Sequence, residues 1–97
     1  MSDIVALKVR VGEEPEAFER VVKGRVAWTL NELLQAGERG CTPIDRPAPR
    51  WSDYVFKLRK QGFAVETLDE KHGGNYRGEH GRYVLRSRVE ILKEVRR

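Results

Sequence analysis

The 97-residue chain carries 35% charged and 39% hydrophobic residues, enough apolar sequence for one domain, residues 1–97, with a single modest core. Its one cysteine, Cys41, excludes an intramolecular disulfide, and no apolar run approaches membrane-spanning length. Because the start Met-Ser-Asp lacks the features of a signal peptide, we expect a cytoplasmic protein with no membrane segment.

The net charge of +4 is unevenly distributed along the chain. Residues 1–40 contain six Lys or Arg against seven Asp or Glu, whereas residues 41–97 contain thirteen against eight. This excess of positive charge in the second part favours a polyanionic partner there.

The N-terminal region predicts one strand and leaves one stretch open. Residues 4–11 (IVALKVRV) alternate between apolar and charged positions, which predicts a half-buried strand. Gly12 and Pro15 then interrupt it. Residues 16–22 fit either a second strand, paired with the first in a hairpin, or a helix that begins at Pro15; we favour the hairpin.

The next predicted elements are a core helix and a one-turn helix. Apolar residues recur at i, i+3, i+4 and i+7 over residues 24–36, and Gly37 is placed to end that helix. Thr42 has the form of a helix N-cap, but Pro47 and Pro49 limit the second helix to about one turn.

A cationic amphipathic helix is predicted over residues 51–61, and Gly62 ends it. Its inward face is expected to consist of Trp51, Tyr54, Val55 and Leu58. Arg59 lies at the edge of that face, so we expect its side chain to lie along the protein surface.

The rest of the chain predicts a β-hairpin and a third helix. Residues 63–70 and 82–86 alternate loosely and predict two strands, joined by the Gly-rich basic loop KHGGNYRGEHG. Ser87 and Glu90 have the spacing of a capping box ahead of an apolar run, which predicts a short C-terminal helix over residues 87–97.

A helix, a one-turn helix, a helix and a β-hairpin follow one another in the order of a winged helix-turn-helix domain. The run KLRKQGF is similar to the end of the recognition helix in many such domains. The stretches AWTLNELLQAGERGCTPIDRPAPRWSDYVFKLRKQG and HGGNYRGEHGRYVL resemble a group of small bacterial and phage-associated winged helix proteins without a well-defined activity. The resemblance implies a winged helix fold and DNA binding. Together with the elements predicted above, it gives an α+β fold with a winged helix core at residues 24–86, an N-terminal strand or hairpin at 1–23, and a C-terminal helix at 87–97.

Helix 51–61 is the candidate reader of the major groove, and the loop 71–82 is the candidate wing. Nine residues are candidates for DNA contact: Arg50, Ser52, Asp53, Lys57, Lys60, Lys71, Asn75, Arg77 and Arg82. Arg and Lys suit phosphate and guanine, whereas Asp53 suits a cytosine amino group or, alternatively, an i,i+4 ion pair with Lys57. The wing would follow the backbone or place Arg77 in a narrow minor groove; the alternative is a solvated hairpin loop.

No pattern in the sequence indicates an enzyme, a metal site or a cofactor. His72, His80 and Cys41 lack the spacing of metal ligands, and no base is predicted beside the Cys41 thiol. We therefore predict a regulator or accessory factor that binds double-stranded DNA, with no small-molecule substrate. The alternative is a protein–protein interaction module that uses the winged helix as a scaffold, and a homodimer fits both hypotheses.

Overall fold

The computed structural model describes residues 3–71 and 79–97, which form two antiparallel sheets and two α-helices. The elements in chain order are β1 (Ile4–Val11), β2 (Phe18–Lys23), α1 (Gly24–Ala36), α2 (Trp51–Lys60), β3 (Val65–Lys71), β4 (Glu79–Leu85) and β5 (Val89–Arg96). A short 3₁₀ turn, Gly37–Arg39, follows α1. The mixture of helices with antiparallel sheets is an α+β fold, as the sequence predicts.

The first sheet has the strand order β2-β1-β5, with β1 in the middle. The alternation in β1 gives it two faces: Leu7, Val9 and Val11 are buried against the core, whereas Lys8 is exposed on the opposite face. β2 occupies the stretch for which the sequence allowed a helix or a strand, and it pairs antiparallel with β1 so that Leu7 lies opposite Val22.

The predicted C-terminal helix is wrong, because residues 89–96 form β5 and pair antiparallel with β1. Val89 lies opposite Val11, and the β-branched residues of this segment fit a pleated strand as well as they fit a helix face. The supposed capping box has other partners: the Ser87 hydroxyl accepts the Ala64 N–H at 2.7 Å, and Glu90 pairs with Arg10 at 3.1 Å.

β5 also brings the two ends of the described chain together. The Arg96 guanidinium donates to the Asp3 carboxylate at 2.8 Å, and the Arg97 N–H donates to the Asp3 carbonyl at 3.0 Å. The Arg96 hydrogen bond lowers the pKa of the Asp3 carboxyl below its usual value.

The second sheet contains β3 and β4, and a single residue from the loop after α1 joins it. Cys41 and Tyr83 exchange both backbone hydrogen bonds, at 2.9 and 2.8 Å. Gly40 directly before this bridge has φ +71°, and a Cβ there would lie 2.5 Å from the Tyr83 carbonyl oxygen. Only glycine therefore allows the loop to approach β4 this closely.

The second helix of the prediction is reduced to a hydrogen-bonded turn. The Thr42 hydroxyl accepts the N–H groups of Ile44 and Asp45, and the Asp45 carboxylate accepts the Thr42 N–H at 2.8 Å. Thr42 thus caps a turn as predicted, with one helical hydrogen bond from Arg46 N–H to the Thr42 carbonyl. The prolines that follow prevent further turns.

Candidate nucleic-acid interface

Helix α2 separates into a buried face and a face open to solvent. The buried residues are Trp51, Tyr54, Val55 and Leu58, as the sequence predicts. The exposed side chains on and just before the helix are those of Arg50, Ser52, Phe56, Lys57, Arg59 and Lys60, and Asp53 is half-buried. Contacts at the two ends of α2 decide how this outer face is presented.

Trp51 fixes the start of α2. Its ring is 2% exposed and lies between Tyr83, stacked at 5.7 Å, and Trp28, tilted at 5.7 Å. The indole N–H donates to the carbonyl of Arg46 at 2.6 Å. One side chain therefore connects α2 to α1, to β4 and to the turn that replaces the second helix.

Arg59 fixes the end of α2. Its guanidinium donates twice to the Val65 carbonyl, at 3.0 and 2.6 Å, and once to the Thr67 hydroxyl at 2.8 Å. The expectation that Arg59 lies along the protein surface is confirmed. The same contacts fix the beginning of β3, the strand that leads to the loop predicted as the wing.

Asp53 and Lys57 form the i,i+4 ion pair that the spacing allows, at 3.1 Å. Both side chains are exposed enough for water to screen the pair, which limits its contribution to roughly 0.2–1 kcal/mol. The Lys57 ammonium can thus exchange this carboxylate for another anion at little energetic cost. Its pairing in the free protein does not prevent contact with a phosphate.

Phe56 and Lys60 form a second surface pair, with the Lys60 ammonium 5.2 Å from the centre of the Phe56 ring. Phe56 is 55% exposed, so part of its ring faces solvent beside the cationic side chains of the helix. The spacing of residues 51–61 is enough to indicate this outward position, because Phe56 lies off the apolar stripe of the helix.

Arg50 and Ser52 lie at the start of α2. Arg50 occupies the N-cap position, and its carbonyl accepts the Tyr54 N–H at 3.0 Å. Among the described residues, neither the Arg50 guanidinium nor the Ser52 hydroxyl makes an ion pair or hydrogen bond. Both groups are available to a ligand that approaches the start of the helix.

Arg82 has a different environment from the other candidates. Its guanidinium donates to the Arg39 carbonyl at 2.9 Å and lies 3.7 Å from the Asp45 carboxylate, with the side chain 25% exposed. These contacts connect β4 to the loop and turn that lead to α2. Contact with DNA would require Arg82 to leave them.

The other three candidates of the predicted wing are Lys71, Asn75 and Arg77. The backbone of Lys71 ends β3, and its side chain lies outside the described part of the structure, as do Asn75 and Arg77 altogether. The structure therefore brings together Arg50, Ser52, Asp53, Lys57 and Lys60 on one helix. The wing contacts stay predictions.

Cys41 is fully buried and its thiol donates to the Glu32 carbonyl at 3.4 Å. Burial raises the pKa of the thiol to about 11, so it stays protonated at neutral pH and is a poor nucleophile. Within residues 3–71 and 79–97, no group of three His, Cys, Asp or Glu side chains is arranged to hold a metal ion. Neither helix in this part of the chain is long and apolar enough to cross a membrane.

The model of the winged helix domain family matches residues 19–95. The match covers most of the chain and includes both helices, β2 and the strands from β3 to β5. No curated protein and no solved structure matches the sequence. Winged helix domains are typically nonenzymatic and generally bind DNA. From the family match and the fold together, the chain belongs to the winged helix domain family.

Proposed function

We propose that this protein binds double-stranded DNA through α2 and acts as a small transcriptional regulator or DNA accessory factor. The observation that carries the proposal is the outer face of α2, where Arg50, Lys57 and Lys60 stand exposed while Trp51 and Arg59 fix the helix at both ends. A rigid helix with a cationic face is the element that winged helix proteins insert into DNA.

The dimensions of α2 suit a major groove. With its side chains, an α-helix is about 10–12 Å across, which fits the B-DNA major groove of about 12 Å width, and the ten residues of α2 extend about 15 Å along it. In the proposed orientation, Arg50 and Ser52 approach base edges from the start of the helix. Lys57 and Lys60 contact phosphates along its outer face.

Asp53 and Phe56 would then supply the sequence preference. When Lys57 exchanges Asp53 for a phosphate, the carboxylate becomes free to accept a hydrogen bond from a cytosine amino group. The exposed Phe56 ring suits the methyl group of thymine. In this proposal Lys71, Asn75 and Arg77 contact the neighbouring backbone from the wing, and Arg82 supports the turn rather than the DNA.

A protein-interaction module remains the second candidate, and exposed apolar side chains favour it. Ile44 is 57% exposed in the turn before α2, close in sequence to the surface that includes Phe56. β5 is an edge strand whose exposed Leu92 and Val95 offer a surface to a second copy. A homodimer through β5 is compatible with either function.

The test is fluorescence anisotropy on a generic duplex over a range of salt concentrations. For four to six phosphate contacts, the slope of log K against log salt is expected at roughly −4 to −5. The double variant Lys57→Gln/Lys60→Gln should flatten this slope by about 2, because two phosphate contacts are removed.

The matched control is Lys23→Gln/Lys93→Gln, which removes the same charge from the β2-β1-β5 sheet. Neither Lys23 nor Lys93 forms an ion pair with a described residue, so folding should be unaffected. This control should keep the wild-type slope. Equal loss of binding in both double variants, or no binding at low salt, would contradict the proposal and favour the interaction module.

A further inference from the structure

A groove of about 550 Å³ opens beside α1 at the turn that precedes α2. None of its lining residues belongs to α2, so it is separate from the proposed DNA-binding face. The residues used below are Arg25, Trp28, Asn31 and Glu32 of α1, Arg46 of the turn, and Arg96 of β5.

Asn31 supplies a side-chain amide to the lining of the groove. The residue is 6% exposed, and its side-chain amide makes no hydrogen bond with any described residue. The other buried polar residue of α1, Thr29, donates its hydroxyl to the Arg25 carbonyl at 2.9 Å. Since no buried side-chain N or O atom of the described residues lacks a hydrogen-bond partner, the unbonded Asn31 amide is open to solvent in the groove and can exchange water for a polar group of a ligand.

Arg25 supplies the groove with a positive charge that no described carboxylate pairs. Its guanidinium lies 4.6 Å from the centre of the Trp28 ring and has no carboxylate partner in the described structure. The other two arginines of the groove are neutralised: Arg46 pairs with Glu32 at 3.3 Å, and Arg96 pairs with Asp3 and Glu94. An anionic group that enters the groove therefore has one preferred partner.

We propose that this groove binds a small planar carboxylate with a polar group at its far end. Arg25 and Asn31 are six residues apart on α1, about 9 Å along the helix, and Trp28 lies midway. The carboxylate accepts hydrogen bonds from the Arg25 guanidinium, and the flat apolar body packs against the Trp28 indole. The far polar group bonds to the Asn31 amide, which both donates and accepts.

The site lies one contact away from the start of α2. Trp28 packs against Trp51 at 5.7 Å, and the Arg46 carbonyl accepts the Trp51 indole N–H. A ligand that moves Trp28 therefore acts on the residue that fixes α2. Binding in the groove does not depend on DNA binding, so the two proposals succeed or fail separately.

The test is a ¹H–¹⁵N NMR titration of the full chain with 4-hydroxybenzoate, beside neutral 4-hydroxybenzamide. We expect saturable shifts at the Asn31 side-chain amide and the Trp28 indole N–H, with a Kd below about 1 mM for the carboxylate. Arg25→Gln and Asn31→Asp should each weaken binding by roughly tenfold or more, the first by losing a charge-assisted contact and the second by repelling the carboxylate.

Arg88→Gln is the control, because it removes one positive charge from an exposed arginine whose one ion-pair partner among the described residues is Glu13. It should bind 4-hydroxybenzoate as the wild type does, and unchanged backbone spectra should establish that each variant is folded. The proposal is refuted by no saturable shift up to about 10 mM. Equal affinity for the neutral amide, or wild-type affinity in Arg25→Gln, refutes it as well.

Discussion

The tryptophan at the start of α2 allows a quantitative prediction, because its two contributions can be separated. Trp51→Phe keeps an aromatic ring between Trp28 and Tyr83 but removes the 2.6 Å hydrogen bond to the Arg46 carbonyl. Trp51→Ala removes both the ring and the hydrogen bond. The comparison with Trp28→Phe then isolates the hydrogen bond, since the Trp28 indole N–H has no partner in the described residues.

The expected magnitudes follow from the burial of Trp51. Losing the hydrogen bond costs about 1 kcal/mol, and the smaller ring leaves a gap in a site that is 2% exposed, at about 1–2 kcal/mol more. Trp51→Phe should therefore lower the free energy of unfolding by about 2–3 kcal/mol and Tm by roughly 10–20 °C. Trp51→Ala should cost about 3–5 kcal/mol or more, a large part of the total for a protein of this size.

Urea titration monitored by circular dichroism measures these differences, with thermal melts as a second observable. Trp28 is half-buried, its indole N–H makes no hydrogen bond with a described residue, and a Phe ring keeps an aromatic face for the Arg25 guanidinium, so Trp28→Phe should cost about 1 kcal/mol or less. If Trp51→Phe and Trp28→Phe are equally stable, the contact to Arg46 does not fix α2 and the reasoning is wrong. A loss under about 0.5 kcal/mol for Trp51→Phe would also refute it.

Two further predictions concern the loop at Cys41. Gly40→Ala should lower the free energy of unfolding by roughly 3 kcal/mol or more, because alanine there would have a positive φ and a Cβ against the Tyr83 carbonyl. A urea midpoint equal to that of the wild type would contradict this prediction. The raised pKa of Cys41 means that the folded state holds the thiol proton up to about pH 11, whereas the unfolded thiol loses it near pH 9. This part of the stability is therefore complete below about pH 9 and is lost as the pH rises between the two values. Relative to Cys41→Ala, the free energy of unfolding of the wild type should fall by up to about 1.4 kcal/mol per pH unit in that interval. If the two proteins lose stability in parallel as the pH rises, the raised pKa of Cys41 is refuted.

The two helices were predictable because their signals are local. Apolar spacing defined residues 24–36 and 51–61, and the structure has Gly24–Ala36 and Trp51–Lys60. The inward residues of α2 followed from the same period, and so did the strand that begins the chain. Each of these patterns is complete within one segment of sequence.

The strand formed by residues 89–96 could not be predicted from a local sequence pattern. A Ser-x-x-Glu spacing followed by Val, Ile and Leu fits a capped helix and a strand equally well. What decides between them is the open edge of β1, which lies about 80 positions earlier in the chain. Such pairing depends on tertiary contacts that single-sequence patterns do not contain.

The candidate site shows the same division. The outward charges of α2 followed from its period, but the partners of Arg82 come from Arg39 and Asp45 in the loop and turn. Likewise, Arg25 is available to a ligand because nearby carboxylates such as Glu32 pair with other arginines. Asn31 is available because no described residue bonds to its amide. The sequence indicates which charged residues are candidates, whereas the fold determines which ion pairs and hydrogen bonds they make.

The pairing of β5 with β1 also determines the order in which the strands of the first sheet can pair during synthesis. During synthesis, β1 and β2 leave the ribosome early and can form their hairpin, but β1 keeps an unpaired edge until residues 89–96 have emerged. Until then, that edge is open to strands of other chains. Folding of this sheet is therefore expected to finish only after residues 89–96 have left the ribosome.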